Sequence, residues 1–489
     1  MSTSSSTGGA GILSQLDTRG ATSLYWYLAL LATVGGFLFG YDTANIGSVL
    51  GFIPFKLGPL YTGIVVSGTS IGAAAGAIIA GPLTDRLGRK SLLLIDAAVY
   101  AIGALLSAAA WNAEVLVFAR VLIGLAVGAD SAIATAYIAE FAPASRRGSL
   151  SIIQQWMITI GILGSYIIAM IVLLALPNQT STWDWRIMLG LGAVPALIGL
   201  LLRSRMPESP RWLLLHGEYD RAAKALGLLG IQPSQDEIRQ AGQQLVALER
   251  QQSGASVWTP GVRRALLVVC VFFFFQQVTG INIPFYYGPQ LLSGFFKAGN
   301  DQVHQAVAGV EAAFVLGIVN VVATFFAFRY IDRAGRRPLA LGAYAGMAIF
   351  ILVGAAGVAF LHGTAQVVVV IVGFALFITC FAIGVGGTGW LIQGEVFPTA
   401  VRGRAASIGA AVDWLANFLL ILIFPIAQAA IGLAGVMVGF AVLCVIAWLF
   451  VHRYLPETKN LSVEQVIELF QQQAEGGSGS GPTRAPATN

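Results

Sequence analysis

Charge is scarce in this chain. Asp, Glu, Lys and Arg make up 10% of its 489 residues, where a soluble domain carries roughly 25%. So few polar groups cannot cover so much apolar surface with a water-facing shell, and an ordinary soluble fold is excluded. Cysteine is nearly absent. Cys270, Cys380 and Cys444 each sit inside an apolar run, which excludes a disulfide scaffold and leaves packing as their role. The four histidines, His216, His304, His362 and His452, fall in loops or at helix ends. No nucleophile–base grouping, P-loop or metal-ligand spacing accompanies them, so an enzyme is the least favoured class and neither cofactor nor metal is expected.

Apolar residues fill the space the charges leave. They form 56% of the chain, with 58 glycines and a mean hydropathy of +0.77. Abundant glycine suits close helix packing in lipid better than soluble helices. The class this defines is a polytopic all-α membrane protein.

Runs of about 18 or more apolar residues mark spanning helices, since roughly 20 residues cross the hydrocarbon core. Twelve are present, at about 24–50, 62–83, 92–111, 115–140, 149–176, 186–202, 264–293, 305–329, 339–361, 365–394, 404–430 and 435–454. The first is too long, and lacks the basic flank, for a cleaved signal peptide. Residues 1–23 are expected to be a disordered N-terminus, 24–202 and 264–454 two six-helix bundles, and 455–489 a tail that is disordered after Glu475. The stretch 203–263 is the longest polar one. Its EYDRAAKALGLLG and DEIRQAGQQLVALERQQ have helical patterning, which predicts short amphipathic helices outside the bilayer.

The +5 net charge gains meaning from position. With the N-terminus placed in the cytoplasm, all but four of the 28 Lys and Arg residues fall in the termini or in loops 2–3, 4–5, 6–7, 8–9 and 10–11. Lys56, Arg186 and Lys297 lie on the other side, and Arg120 is the one basic residue placed inside a helix. That asymmetry predicts both termini in the cytoplasm and a multi-pass protein of the cell membrane, surrounded by lipid. Basic residues spread over five loops and two tails make no nucleic-acid stripe.

The two halves repeat one another. DRLGRK from Asp85 recurs as DRAGRR from Asp332, offset by 247; EFAPASRRG from Glu140 recurs as EVFPTAVRG from Glu395, offset by 255; PESPRW from Pro207 is echoed by PETKN from Pro456, offset by 249. Three pairs at nearly one separation indicate two six-helix halves in parallel repeat.

These boxes, with GGFLFGYD from Gly35, QQVTGIN from Gln276, Tyr286, Tyr287, GIVN from Gly317 and Trp390, resemble the sugar porter family of the major facilitator superfamily. The similarity spans about 24–470 and is closest to the proton-coupled monosaccharide symporters. DRxGRK alone marks the superfamily; PESPRWL with QQVTGIN and PETK is far more specific. The resemblance implies a monomeric carrier of a hexose or pentose by alternating access.

Gly280 and Pro284 should break helix seven beside Gln276, Gln277 and Asn282. Such breaks occur where backbone lines a watery cavity, and amides both donate and accept, as sugar hydroxyls do. The same amides also serve as interhelical polar glue. By resemblance, Gln155, Asn320 and Asn417 add sugar contacts, and Phe39, Tyr286, Phe381 and Trp390 add apolar faces for the ring.

Asp42 and Arg120 stand in apolar helices, where an isolated charge costs roughly 2.5–3.5 kcal/mol. Asp42 lies eight residues before the end of its run and Arg120 five after the start of its own, about 12 and 7.5 Å deep. Their depths allow contact, and an acid at the first position resembles the proton-coupled members; a static ion pair is the alternative. At the helix ends, Asp85, Arg89, Glu140, Arg147, Arg333, Arg336, Glu395 and Arg402 are candidates for pairs that shut the inner side and part when it opens.

Three features depart from the family. Asp413 stands where Gln or Asn usually meets the sugar, so it joins the candidate substrate contacts. Asp130 sits on helix four in a segment lacking the usual Pro, and GVGGTGW from Gly384 lacks the prolines of helix ten. Either acid could be a second proton site, a hydroxyl acceptor or a buried protonated carboxyl, with interhelical bonding a further role for Asp130. Facilitative sugar or polyol uniport and a transporter-like nutrient sensor are the competing functions.

Overall fold

The computed structural model of the chain describes residues 12 and 23–474, apart from 142–146, 177–179, 253–255, 297–301, 460 and 462. The expectations for the first 22 residues and for the tail after residue 474 lie outside it. We label the spanning helices α1 Ser23–Val49, α2 Pro59–Leu87, α3 Arg89–Ala109, α4 Ala113–Phe141, α5 Arg147–Ala175, α6 Thr182–Ser204 and α7 Pro260–Val278. α8 is Gln302–Ala334, α9 Arg336–Phe360 and α10 Gly363–Val396. α11 and α12 together form Thr399–Tyr454 and part at Gly432, whose φ of 73° and ψ of 166° break the helix. Twelve spans thus emerge among the described residues. Large apolar side chains such as Leu201, Phe118, Phe325 and Phe360 stand exposed on the outside, the surface a lipid-embedded bundle presents.

Helix interruptions follow the residues that allow them. α1 divides at Thr33 into Ser23–Ala32 and Val34–Val49. α7 stops at Val278, and Ile283–Tyr286 and Gly288–Ser293 continue it as short turns. Gly280 takes φ 96° there, and a Cβ on it would lie 2.6 Å from the Phe440 ring, so the break needs glycine for both reasons. In α10, the proline-free Ala382–Gly386 is a π-helical turn, a form that shifts the backbone carbonyls away from their usual partners.

The polar stretch between halves carries helices Pro210–Leu215, Tyr219–Leu228 and Gln235–Gln252. One boundary matters: α6 reaches Ser204, two residues beyond the end read from hydropathy. Arg203 therefore lies within a spanning helix, fully buried, and Arg120 is not the one basic residue inside the bundle.

Candidate functional site

The sequence repeat has a structural cause at the helix ends. Gly88 and Gly335 open α3 and α9 with φ of 89° and 90°, a conformation that favours glycine. Beside each lies the glutamate of the PES or PET box. Glu208 accepts the N–H groups of Arg89 and Lys90 at 2.9 and 3.1 Å. Glu457 accepts those of Arg336 and Arg337 at 3.0 and 3.1 Å. A carboxylate on the first free N–H groups of a helix satisfies orphan donors and matches the helix dipole. A Cβ at Gly88 would collide with the Glu208 carboxylate.

The acid–base boxes pair within each half. Arg89 meets Glu140 at 2.9 Å, with Asp85 at 3.5 Å; Arg336 meets Glu395 at 2.6 Å, and Thr458 also donates to Glu395. Arg402 donates to Phe397 O at the start of its own helix. Arg333 is exposed and its carbonyl accepts Lys459 Nζ. The Arg147 side chain lies outside the described residues. The Arg89–Glu140, Arg89–Asp85 and Arg336–Glu395 pairs each join residues of one half.

Closure between halves occurs at the opposite end of the bundle. A Cβ on Gly47 of α1 would lie 2.6 Å from Tyr286 O, and one on Gly63 of α2 would collide with Leu422 O of α11. Tyr166 of α5 donates to Phe285 O at 3.1 Å. Small residues allow this backbone approach.

Seven residues in from the closed-side ends of α1 and α4, Asp42 and Arg120 form a two-pronged pair: Nη1 to Oδ1 3.1 Å and Nη2 to Oδ2 3.2 Å. Thr69 of α2 adds a donor to Oδ2 at 3.0 Å, and Arg120 also donates to Val66 O. Both charged residues are buried. The fork geometry and the hydroxyl give both carboxylate oxygens of the desolvated pair hydrogen bonds, while Arg120 Nε is buried without a partner.

The amides form a second cluster. Gln277 donates to Asp413 Oδ1 at 2.7 Å; Asn282 donates to Gln277 Oε1 at 2.8 Å and to Asn417 Oδ1 at 2.9 Å. Asn417 in turn donates to Ser70 Oγ of α2 at 3.0 Å, so the chain of bonds crosses from the C-terminal half to the N-terminal one. Gln276 belongs elsewhere. Its amide donates to Gly386 O and Val385 O, carbonyls of the π-helical turn. Asn320, Tyr286 and Phe381 are buried and Gln155 half-buried. Phe39 stands edge-on to Trp414, with centroids 4.9 Å apart, and Trp390 packs at 5.0 Å from Phe273. Ser70 and Thr69 were not read as site residues from sequence, because single hydroxyls in an apolar helix carry no pattern.

One cluster was missed outright. Arg203 donates to Asp96 at 3.0 Å and to Asp130, and both acids are buried. Asp96 was visible as a carboxyl inside an apolar run. Its partner was hidden by the boundary drawn at residue 202.

Two helical halves with matched end boxes, a sealed acid–base pair and a polar cluster bridging the halves define a membrane transporter of the major facilitator type. The chain belongs to the sugar (and other) transporter family, whose model matches residues 28–470. It is 34% identical over 453 residues to the arabinose-proton symporter of Bacillus subtilis, covering 91% of this chain and 94% of that one. It is 35% identical over 447 residues to the glucose transporter GlcP of Staphylococcus epidermidis, covering 90% and 96%. Among solved structures, the xylose transporter XylE from E. coli in a partially occluded inward-open conformation superposes with a TM-score of 0.77 at 27% identity, covering 90% of this chain and 100% of that one.

Proposed function

We propose that this chain carries a monosaccharide, a hexose or pentose, together with a proton across the cytoplasmic membrane by alternating access. The observation that carries the reading is the buried two-pronged Asp42–Arg120 pair. Deprotonated Asp42 ties α1 to α4. A proton on its carboxyl removes the charge that Arg120 holds, and the pair parts. Breaking a buried pair by losing one partner's charge costs about 3–5 kcal/mol, close to the roughly 5.5 kcal/mol that turns a 1:99 equilibrium into 99:1. Protonation thereby biases the halves toward an outward-open state that takes up sugar.

Sugar hydroxyls replace the bonds that Gln277, Asn282, Asp413 and Asn417 now make to one another. Gln155, Gln276 and Asn320 are the further amide contacts, and Phe39, Tyr286, Phe381 and Trp390 the apolar walls. The names of the relatives, an arabinose-proton symporter and a glucose transporter, support this substrate class. The excess of Lys and Arg at one end supports cytoplasmic termini. The close contacts at Gly47 and Gly63 then shut the outer side, and Asp85, Arg89, Glu140, Arg147, Arg333, Arg336, Glu395 and Arg402 at the helix ends form the inner gate, whose pairs hold that side shut and part when it opens. The working unit is a monomer in lipid.

Radiolabelled hexose and pentose uptake into proteoliposomes tests the reading. Accumulation above equilibrium is expected only with an imposed pH gradient. Equal uptake with and without the gradient would establish uniport instead.

A further inference from the structure

The buried cluster on Arg203 is not used by the mechanism above, and its charges do not balance. Arg203 enters the N-terminal half from the end of α6. Its five N–H donors are all engaged: Nε with Leu31 O, Nη1 with Leu93 O and Asp96 Oδ1, and Nη2 with Ala32 O and Asp130 Oδ1. The Leu31 and Ala32 carbonyls belong to the turn of α1 just before its break at Thr33. The guanidinium therefore satisfies carbonyls at the break of α1 while holding acids from α3 and α4.

Two carboxylates face this one cation. Arg203 is fully buried, Asp96 is 4% exposed and Asp130 3%. The second oxygen of each acid, Oδ2, is buried without a hydrogen-bond partner. Both acids line one small cavity with Gly35, Leu38 and Tyr100. Asp130 Oδ2 lies against Gly35, where a Cβ would collide with it. With both acids ionised the cluster carries a net charge of −1 away from water, and two bare carboxylate oxygens would lack donors. Two acids sharing one site do not both ionise readily; a single proton between them supplies the missing donor and neutralises the cluster.

Among the described residues, the cavity lining offers no other neutralising group. α3 presents Tyr100, whose hydroxyl is donated to Leu38 O at 2.9 Å. α1 presents Gly35 and Leu38, and α4 presents Ala126 and Val127. Arg120 on α4 is engaged with Asp42, ten residues and about 15 Å along the helix from Asp130. On α1, Asp42 is seven residues beyond Gly35, about 10 Å along the axis.

We propose that Asp96 and Asp130, clasped by Arg203, hold one shared and exchangeable proton, forming a second protonation site beside the Asp42–Arg120 pair. The proton sits on Oδ2 of one acid and is donated to the other. On release it passes to water in the cavity, leaving the net charge on the cluster. The site lies between Asp42 and the bundle end that carries the acid–base boxes, on the side where a proton taken up at Asp42 would leave. The inference stands whether or not Asp42 couples transport to a pH gradient.

Infrared spectroscopy of purified protein labelled with carboxyl-13C aspartate tests it without sugar or membrane gradient. At neutral pH exposed carboxyls are ionised, so a protonated aspartic C=O band reports a buried one. The band is expected in the wild type and in the D42N/D413N double variant, to shift in D2O, and to disappear at alkaline pH. It is expected to vanish in D96N and in D130N on the D42N/D413N background. No titrating band in the D42N/D413N protein, or a band that survives D96N and D130N, overturns the proposal. Asp184 is a further buried aspartate whose carboxylate oxygens have no hydrogen-bond partner, so each of these variants also carries D184N; absence of a titrating band in the D42N/D184N/D413N protein overturns the proposal even where D96N or D130N fails to fold.

Discussion

Asn417 of α11 donates its side-chain amide to the Ser70 hydroxyl of α2 at 3.0 Å, and both groups are buried where the two halves meet. The bond closes a run that begins at Asp413 and passes through Gln277 and Asn282. The polar cluster thus links the halves, and a sugar entering it exchanges bonds on both sides.

Asn417→Ala removes an amide that bonds to both Asn282 and Ser70. A buried hydrogen bond left without one partner loses about 1–3 kcal/mol. Sugar KM is expected to rise roughly 10-fold or more, since 1.4 kcal/mol is a factor of ten. Ser70→Ala, which leaves Asn282 bonded to Asn417, should have the smaller effect. Uptake kinetics in proteoliposomes compare the two; equal KM for wild type and Asn417→Ala would remove Asn417 from the sugar site.

Gly47 and Gly63 permit the closed face. Valine at either position places a side chain against Tyr286 or Leu422 backbone, which cannot give way as a flexible side chain would. Both variants are expected to favour opening at that face. Labelling of a cysteine introduced in the outer part of the cavity should speed up; unchanged labelling would show that closure does not depend on these contacts.

Glu208 and Glu457 act on stability rather than transport chemistry. Each accepts charge-assisted bonds from two helix-initiating N–H groups, worth about 1.5–3 kcal/mol apiece. Glu208→Ala and Glu457→Ala should each lower the thermal unfolding temperature in detergent. Being in different halves, their effects should add. A double variant no worse than either single one would contradict independent caps.

Much of this was legible in the residues. Hydropathy gave twelve spans, and the three offset boxes gave the two halves. Asp42 and Arg120 announced themselves as charges in apolar runs, and counting depth along each helix was enough to match them. The Gly280–Pro284 spacing placed the break in α7. What escaped depended on tertiary neighbours. Glu208 and Glu457 stood in recognised boxes, but only packing of the box against the Gly88 and Gly335 turns shows that they cap helices. Gln276 looked equivalent to Gln277; the π-helical turn in α10, whose carbonyls it satisfies, redirects it. Arg203 was lost to a two-residue error in a boundary, and Asp96 and Asp130 lost their common partner with it.

The central claim rests on one carboxyl. Asp42→Asn keeps the shape of the side chain and, like the protonated carboxyl, offers one accepting and one donating group, but cannot gain or lose a proton. In proteoliposomes this variant is expected to exchange labelled sugar at a rate near wild type and to accumulate none above equilibrium when a pH gradient is imposed. Accumulation by Asp42→Asn matching the wild type under the same gradient would contradict the coupling role of the Asp42–Arg120 pair.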